Sequence, residues 1–91
     1  MPKDLIEIRE KTYGPTAYIA GTRIRVSIIA RYYRLAESEG EQPEAYIRRA
    51  LPHLSPAEIR AAVRYWRGHE DEIDSEITAD REALEQIPTR I

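Results

Sequence analysis

One segment constrains this chain more than any other, because between Val26 and Ser38 it is apolar on two sides at helical spacing. Val26, Ile29, Ala30 and Tyr33 form one stripe, and Ile28, Tyr32 and Leu35 form a second. An α-helix with two apolar faces must be covered twice, so it belongs at the centre of a fold. The sequence therefore predicts a central helix from Val26 or Ser27 to about Ser38, stopped by Glu39-Gly40, with a hairpin or a second subunit on one side and later helices on the other.

The segments around it are shorter. Leu5-Ile6-Glu7-Ile8-Arg9-Glu10 alternates apolar and charged residues, the period of a half-buried strand, and Lys11 to Pro15 breaks it. Ala17-Tyr18-Ile19-Ala20 and Arg23-Ile24-Arg25-Val26 flank Gly21-Thr22, a pair that suits the tight turn of a β hairpin. Pro43 fits the first turn of a short helix ending near Leu51, before Pro52. Ser55-Pro56-Ala57-Glu58 then supplies a capping box with proline at the first helical position, and Ile59, Ala62, Val63 and Trp66 give the following helix a single core-facing stripe. Only Pro52, His53 and Leu54 are left between the two helices, a turn of helix-turn-helix length. The expected fold is mainly α: a short N-terminal β hairpin, a three-helix helix-turn-helix-like core, and an acidic C-terminal helix from about Glu70 to Gln86. That division places a DNA-binding domain at residues 1–69 and a partner-binding segment at residues 70–91.

Charge follows the same division. Residues 1–68 carry 12 Lys/Arg against 8 Asp/Glu, whereas residues 69–91 carry 2 against 8. A +4 body and a −6 tail point to one anionic and one basic partner. With 91 residues and no cysteine, a disulfide framework and a thiolate metal cage are both excluded. A domain this small buries only about 60–65% of its unfolded surface, which favours a homodimer. The amino terminus lacks the apolar stretch of a secretory signal, and no run approaches the roughly 20 apolar residues of a membrane span, so a cytoplasmic protein without membrane contact is expected.

Chemistry-bearing positions favour binding over catalysis. At about 100° per residue, Arg60, Arg64 and Arg67 share one flank of the third helix, next to the Trp66 stripe, and Arg48 and Arg49 end the preceding helix. In a major groove, Ser55, Ala57, Arg60 and Ala61 would lie nearest the base edges, with Arg64 and Arg67 on phosphates. In the acidic segment, Ile73, Ile77, Leu84, Ile87 and Arg90 are the candidate contacts to a protein partner. His53 and His69 lack metal-ligand spacing, and the acidic start formed by Glu70, Asp71 and Asp74 suits the positive end of a helix dipole better than magnesium. There is no glycine-rich phosphate loop, no nucleophile in a recognisable setting and no paired carboxylates in an apolar environment. No catalytic residues, metal, cofactor or small-molecule substrate are expected.

Tyr18-Ile19-Ala20-Gly21-Thr22-Arg23-Ile24-Arg25-Val26 resembles the Gly-Thr-Arg-hydrophobic-x-Val signature of the family called domain of unknown function 433. Leu51-Pro52-His53-Leu54-Ser55, Ile59 to Trp66, and His69-Glu70-Asp71-Glu72-Ile73-Asp74 are similar to that family's Tyr-Pro-His-Leu-Ser turn, third helix and trailing helix start. The resemblance spans about residues 13–77, and Leu51 replaces the usual tyrosine. It implies a helix-turn-helix-like protein, and an antitoxin of the kind encoded beside PIN-domain ribonuclease toxins. On that expectation the basic body binds double-stranded operator DNA as a dimer and autoregulates transcription, while the acidic helix and the tail to Ile91 neutralise the toxin, with Arg90 reaching the nuclease's acidic pocket. The alternatives are a stand-alone helix-turn-helix regulator without a toxin partner and an adaptor that does not bind DNA.

Overall fold

The computed structural model describes residues 5–12 and 14–85, with side chains to residue 83. Its elements are β1 (Ile6–Lys11), β2 (Gly14–Ile19), α1 (Val26–Ser38), α2 (Pro43–Ala50), α3 (Pro56–Gly68) and α4 (Glu70–Glu85). The chain is mainly helical with an N-terminal two-stranded hairpin. No helix among the described residues is long and apolar enough to cross a membrane.

The alternating segment is a strand, as its period requires, but its partner and turn differ from those expected. β1 pairs antiparallel with β2 in the register Ile6 to Ile19, Ile8 to Ala17 and Lys11 to Gly14. The 11–15 segment, read as a break, is thus where the hairpin reverses. Gly21-Thr22 instead closes a tight loop between β2 and α1, leaving only an isolated bridge from Tyr18 to Arg25. Gly21 adopts φ +77°, in the left-handed region that favours glycine. The Thr22 hydroxyl fixes the loop from both ends, donating to Ile19 O at 2.7 Å and accepting from Ile24 N at 3.0 Å. Ile19 N–H then donates to Ile24 O at 2.8 Å. The loop delivers Arg25 and Ser27 to the start of α1 in fixed positions, which becomes important below.

α1 ends where Glu39-Gly40 predicts, through a Schellman arrangement. Gly40 has φ +73°, its N–H reaches Glu37 O at 3.1 Å, and Glu41 N–H reaches Ala36 O at 2.9 Å. α2 begins behind Gln42, whose side chain accepts from Ala45 N at 2.7 Å, with Pro43 in the first turn. It ends at Ala50, so the connection to α3 is the five residues 51–55 rather than three, and Leu54 turns inward there with 5% exposure. The α3 capping box is complete: Glu58 N–H donates to Ser55 Oγ at 3.1 Å, and Ser55 N–H donates to Glu58 Oε1 at 2.8 Å. Two of the N–H groups that a helix start leaves unpaired are thereby satisfied, and the start of α3 is fixed from local sequence alone.

The core gathers Ala17 and Ile19 from β2, Val26, Ile29 and Ala30 from α1, Ile47 from α2, Leu54, and Ile59, Ala62 and Trp66 from α3. Ile73 and Ile77 of α4 complete it, at 1% and 7% exposure. Residues on both sides of position 69 thus share this core. His69 caps the end of α3 and its carbonyl accepts the first α4 hydrogen bond, from Ile73 N at 3.0 Å, so the two helices join without a linker. α4 packs against α1. The core is therefore built from four helices, and the acidic helix is part of it. Of the two α1 stripes, the first is covered: Val26, Ile29 and Ala30 are fully buried. The second is not, with Ile28 and Tyr32 half-buried and Leu35 43% exposed.

Candidate nucleic-acid interface

α3 sets the geometry of the basic surface. Its core stripe points Ile59, Ala62 and Trp66 inward, which leaves Arg60, Arg64 and Arg67 at the surface, one turn apart, as the helical spacing requires. Ala57 is exposed, Ala61 is half-buried, and Ser55 is exposed with its hydroxyl engaged in the cap. Arg48 and Arg49 occupy the last turn of α2, where they also complement the helix dipole.

These arginines are not equivalent. Arg60 folds back onto α2 and holds Glu44 with two hydrogen bonds, Nε to Oε1 at 3.0 Å and Nη2 to Oε2 at 3.3 Å. Arg49 pairs with Glu41 and lies over the Tyr46 ring at 5.6 Å. Arg67 lies 4.2 Å from the Trp66 ring centre and 5.2 Å from that of Tyr33, a cation–π position that orients the guanidinium while leaving its N–H groups to solvent. Among the described residues, no acidic side chain pairs with Arg48, Arg64 or Arg67. The usable positive charge is therefore Arg48, Arg64 and Arg67, with Arg60 and Arg49 available by exchanging an exposed carboxylate for another anion. Such exposed pairs are each worth at most about 1 kcal/mol, so the exchange is cheap.

The aromatic residues serve packing. Tyr33 meets Trp66 edge to face at 5.4 Å, and Tyr32 meets Tyr46 at 6.3 Å. The His69 ring stacks on Tyr65 at 3.9 Å, and its Nδ1 lies 2.9 Å from Tyr65 O, so this histidine is a capping group. His53 is exposed in the α2–α3 connection. Tyr65 donates to Glu72 at 3.3 Å; partial burial, then the Glu72 carboxylate, push its phenol above the usual tyrosine range. Among the described residues, no three His, Cys, Asp or Glu side chains cluster in a way that would hold a metal ion.

Residues 6–66 match a family model described as "Protein of unknown function (DUF433)". The chain belongs to the DUF433 family. The matched span runs from β1 to Trp66, and so contains the hairpin, the Gly21-Thr22 loop and the whole arginine flank except Arg67. No curated protein and no solved structure matches the chain.

α4 lies beyond the DUF433 match, yet the matched body grips it. Arg25, from the Gly-Thr-Arg-Ile-Arg-Val stretch, donates to Glu76 at 3.2 Å and to Asp80 at 2.8 Å, and the fully buried Ser27 hydroxyl donates to the same Glu76 carboxylate. Arg34 pairs with Asp74 at 2.8 Å. Ile73 and Ile77 are buried within the chain, and four of the α4 acids are matched by basic or hydroxyl groups of the body or α3. Leu84 lies in α4 with its side chain beyond the described ones, and Ile87 and Arg90 lie outside the described residues. Sequence reasoning missed Arg25, Ser27, Glu76 and Asp80. The i, i+4 spacing of Ile73 and Ile77, with Glu76 and Asp80 one residue before and three after Ile77, is the signal that could have found them, since it describes a packed helix with an acidic border.

Proposed function

We propose that this protein is a dimeric DNA-binding antitoxin: α3 reads operator DNA, and a PIN-domain ribonuclease is held by the chain that follows the packed part of α4. The observation that carries the DNA half is the exposed flank of α3, where, among the described residues, Arg64 and Arg67 stand without acidic partners, on a helix whose start is fixed by a complete capping box. In this reading α2 and α3 are the helix-turn-helix pair. Ser55, Ala57 and Ala61 face base edges, Arg48, Arg64 and Arg67 contact phosphates, and Arg60 leaves Glu44 for DNA. The antitoxin half rests on the family resemblance. The burial of Ile73 and Ile77 narrows its contact region to Leu84, Ile87 and Arg90.

A stand-alone regulator is the second reading, and the docking of α4 favours it: a helix held by Arg25 and Ser27 serves as a structural brace without any partner. Tagged pull-down of the full chain separates the two. Recovery of a stoichiometric PIN-type nuclease, lost when residues 84–91 are removed, supports the antitoxin; recovery of the protein alone supports the regulator.

The DNA role is tested by binding to the region upstream of the protein's own gene over a range of salt. About six neutralised phosphates per dimer predict a log K against log salt slope near −5, and Arg64→Ala in both subunits should make it shallower by about 2. Glu44→Ala, which frees Arg60, should tighten binding at low salt. Absence of salt-dependent binding, or a slope indifferent to Arg64, overturns the DNA reading.

A further inference from the structure

Among the described residues, the second apolar stripe of α1 is only partly covered. Ile28, Tyr32 and Leu35 follow at i, i+4 and i+7, with the exposed Arg31 beside Tyr32. Together with Ile77 and Arg81 of α4 they line an open groove of about 540 Å³. Leu35 is one of only two large hydrophobic side chains that are markedly exposed among the described residues, and a two-faced helix needs a partner on both faces.

We propose that the occupant is a second copy of this chain, with α1 packed antiparallel against its own image about a two-fold axis between residues 31 and 32. The proposal rests on the dimeric reading above and assigns that dimer its face and register. In an isologous contact, residue i meets j and j meets i, so the stripe must complement itself when reversed. It does so: Ile28 falls on Leu35 of the partner subunit, and Arg31 falls on Tyr32 of the partner subunit, where a guanidinium can lie against the ring.

Charge selects the same direction. Among the described residues Arg31 and Arg81 pair with no acid, while Glu39, just past the end of α1 on the same side as the stripe, is exposed and unpaired. Antiparallel packing brings Glu39 of the partner subunit towards the end of the groove lined by Ile28 and Arg81. A parallel arrangement would set Arg31 against Arg31 and Glu39 against Glu39. An unrelated acidic helix would suit the arginines but leave Glu39 facing its own charge, so the two-signed rim favours self-association.

The absence of native cysteine makes the register directly measurable in the full-length protein. The wild-type chain should sediment at twice its 10.6 kDa mass. Ile28→Cys mixed with Leu35→Cys should form disulfide-linked pairs on mild oxidation. Either variant alone should link poorly, because identical positions lie seven residues apart along the paired helices, about 10 Å at 1.5 Å per residue and outside disulfide reach. Leu35→Glu should raise the dimer dissociation constant at least about 30-fold while keeping the far-ultraviolet dichroism of the wild type. A monomeric wild type overturns both this proposal and the dimeric reading. A dimer that gives no mixed crosslink, links equally well through one position alone, or is indifferent to Leu35→Glu overturns the assigned face and leaves the dimeric reading standing.

Discussion

Replacing Glu76 by alanine tests whether α4 is an integral part of the fold. Its carboxylate, with 15% side-chain exposure, accepts from Arg25 at 3.2 Å and from the Ser27 hydroxyl, and Ser27 is fully buried. Truncation leaves that hydroxyl without its acceptor, a cost of about 1–3 kcal/mol for a buried donor. It also removes a carboxylate from Arg25. Because Asp80 remains at 2.8 Å, the loss stays below the 3–5 kcal/mol of a fully broken buried pair. The expected total is about 2–3 kcal/mol, against a global stability of about 5–13 kcal/mol for a domain of this length. That corresponds to a fall of about 8–24 °C in Tm. Urea unfolding followed in parallel by the fluorescence of Trp66, the sole tryptophan, and by far-ultraviolet dichroism measures it. Glu76→Gln, which preserves an acceptor for Ser27 but not the charge, should fall between wild type and alanine. If Glu76→Ala costs under about 0.5 kcal/mol, the level of an ordinary surface change, the helix is not clamped. A separate early loss of helicity in the wild type, with the Trp66 transition following later, would likewise refute a single cooperative unit.

Gly21→Ala should cost about 1 kcal/mol, read as a lower urea midpoint at unchanged m value; no atom lies within 4 Å of the added methyl, so the penalty comes from φ +77° alone. Tyr65 should ionise at a higher pH than free tyrosine, because burial and then the Glu72 carboxylate disfavour its phenolate. Its folded-state value is raised, so its contribution to stability is complete below the ordinary tyrosine pKa of about 10 and is lost as pH rises through the folded value. Tyr65→Phe should therefore flatten the alkaline fall in stability, and ultraviolet titration of tyrosinate should lose a late-ionising group.

Local signals were legible wherever a residue's role depends on neighbours within one turn. Ser55 and Glu58 define the start of α3, Gly40 the end of α1, and the β1 alternation a strand. The arginine flank follows from the same 3.6-residue period. Which turn closes the hairpin is not legible, because Gly21-Thr22 and the 11–15 segment both carry turn residues and only pairing decides between them. β1 chose β2, since Ile6 and Ile8 then sit beside Ile19 and Ala17 on one face of the sheet.

Sequence by itself thus determined which segments are helices, where α1 stops and where α3 starts, and which face of each is apolar. Tertiary structure decided what each face meets. Arg60 loses its freedom to Glu44, 16 residues away, and Arg25 reaches Glu76, 51 residues away, across an interface between helices. The acidic helix reads as an appendage because two isoleucines are a sparse stripe, and it becomes core because α1 offers them a second place to bury. Such pairings depend on how helices cross and how far apart they settle, quantities set by the packing of the whole core, and no window of neighbouring residues contains them.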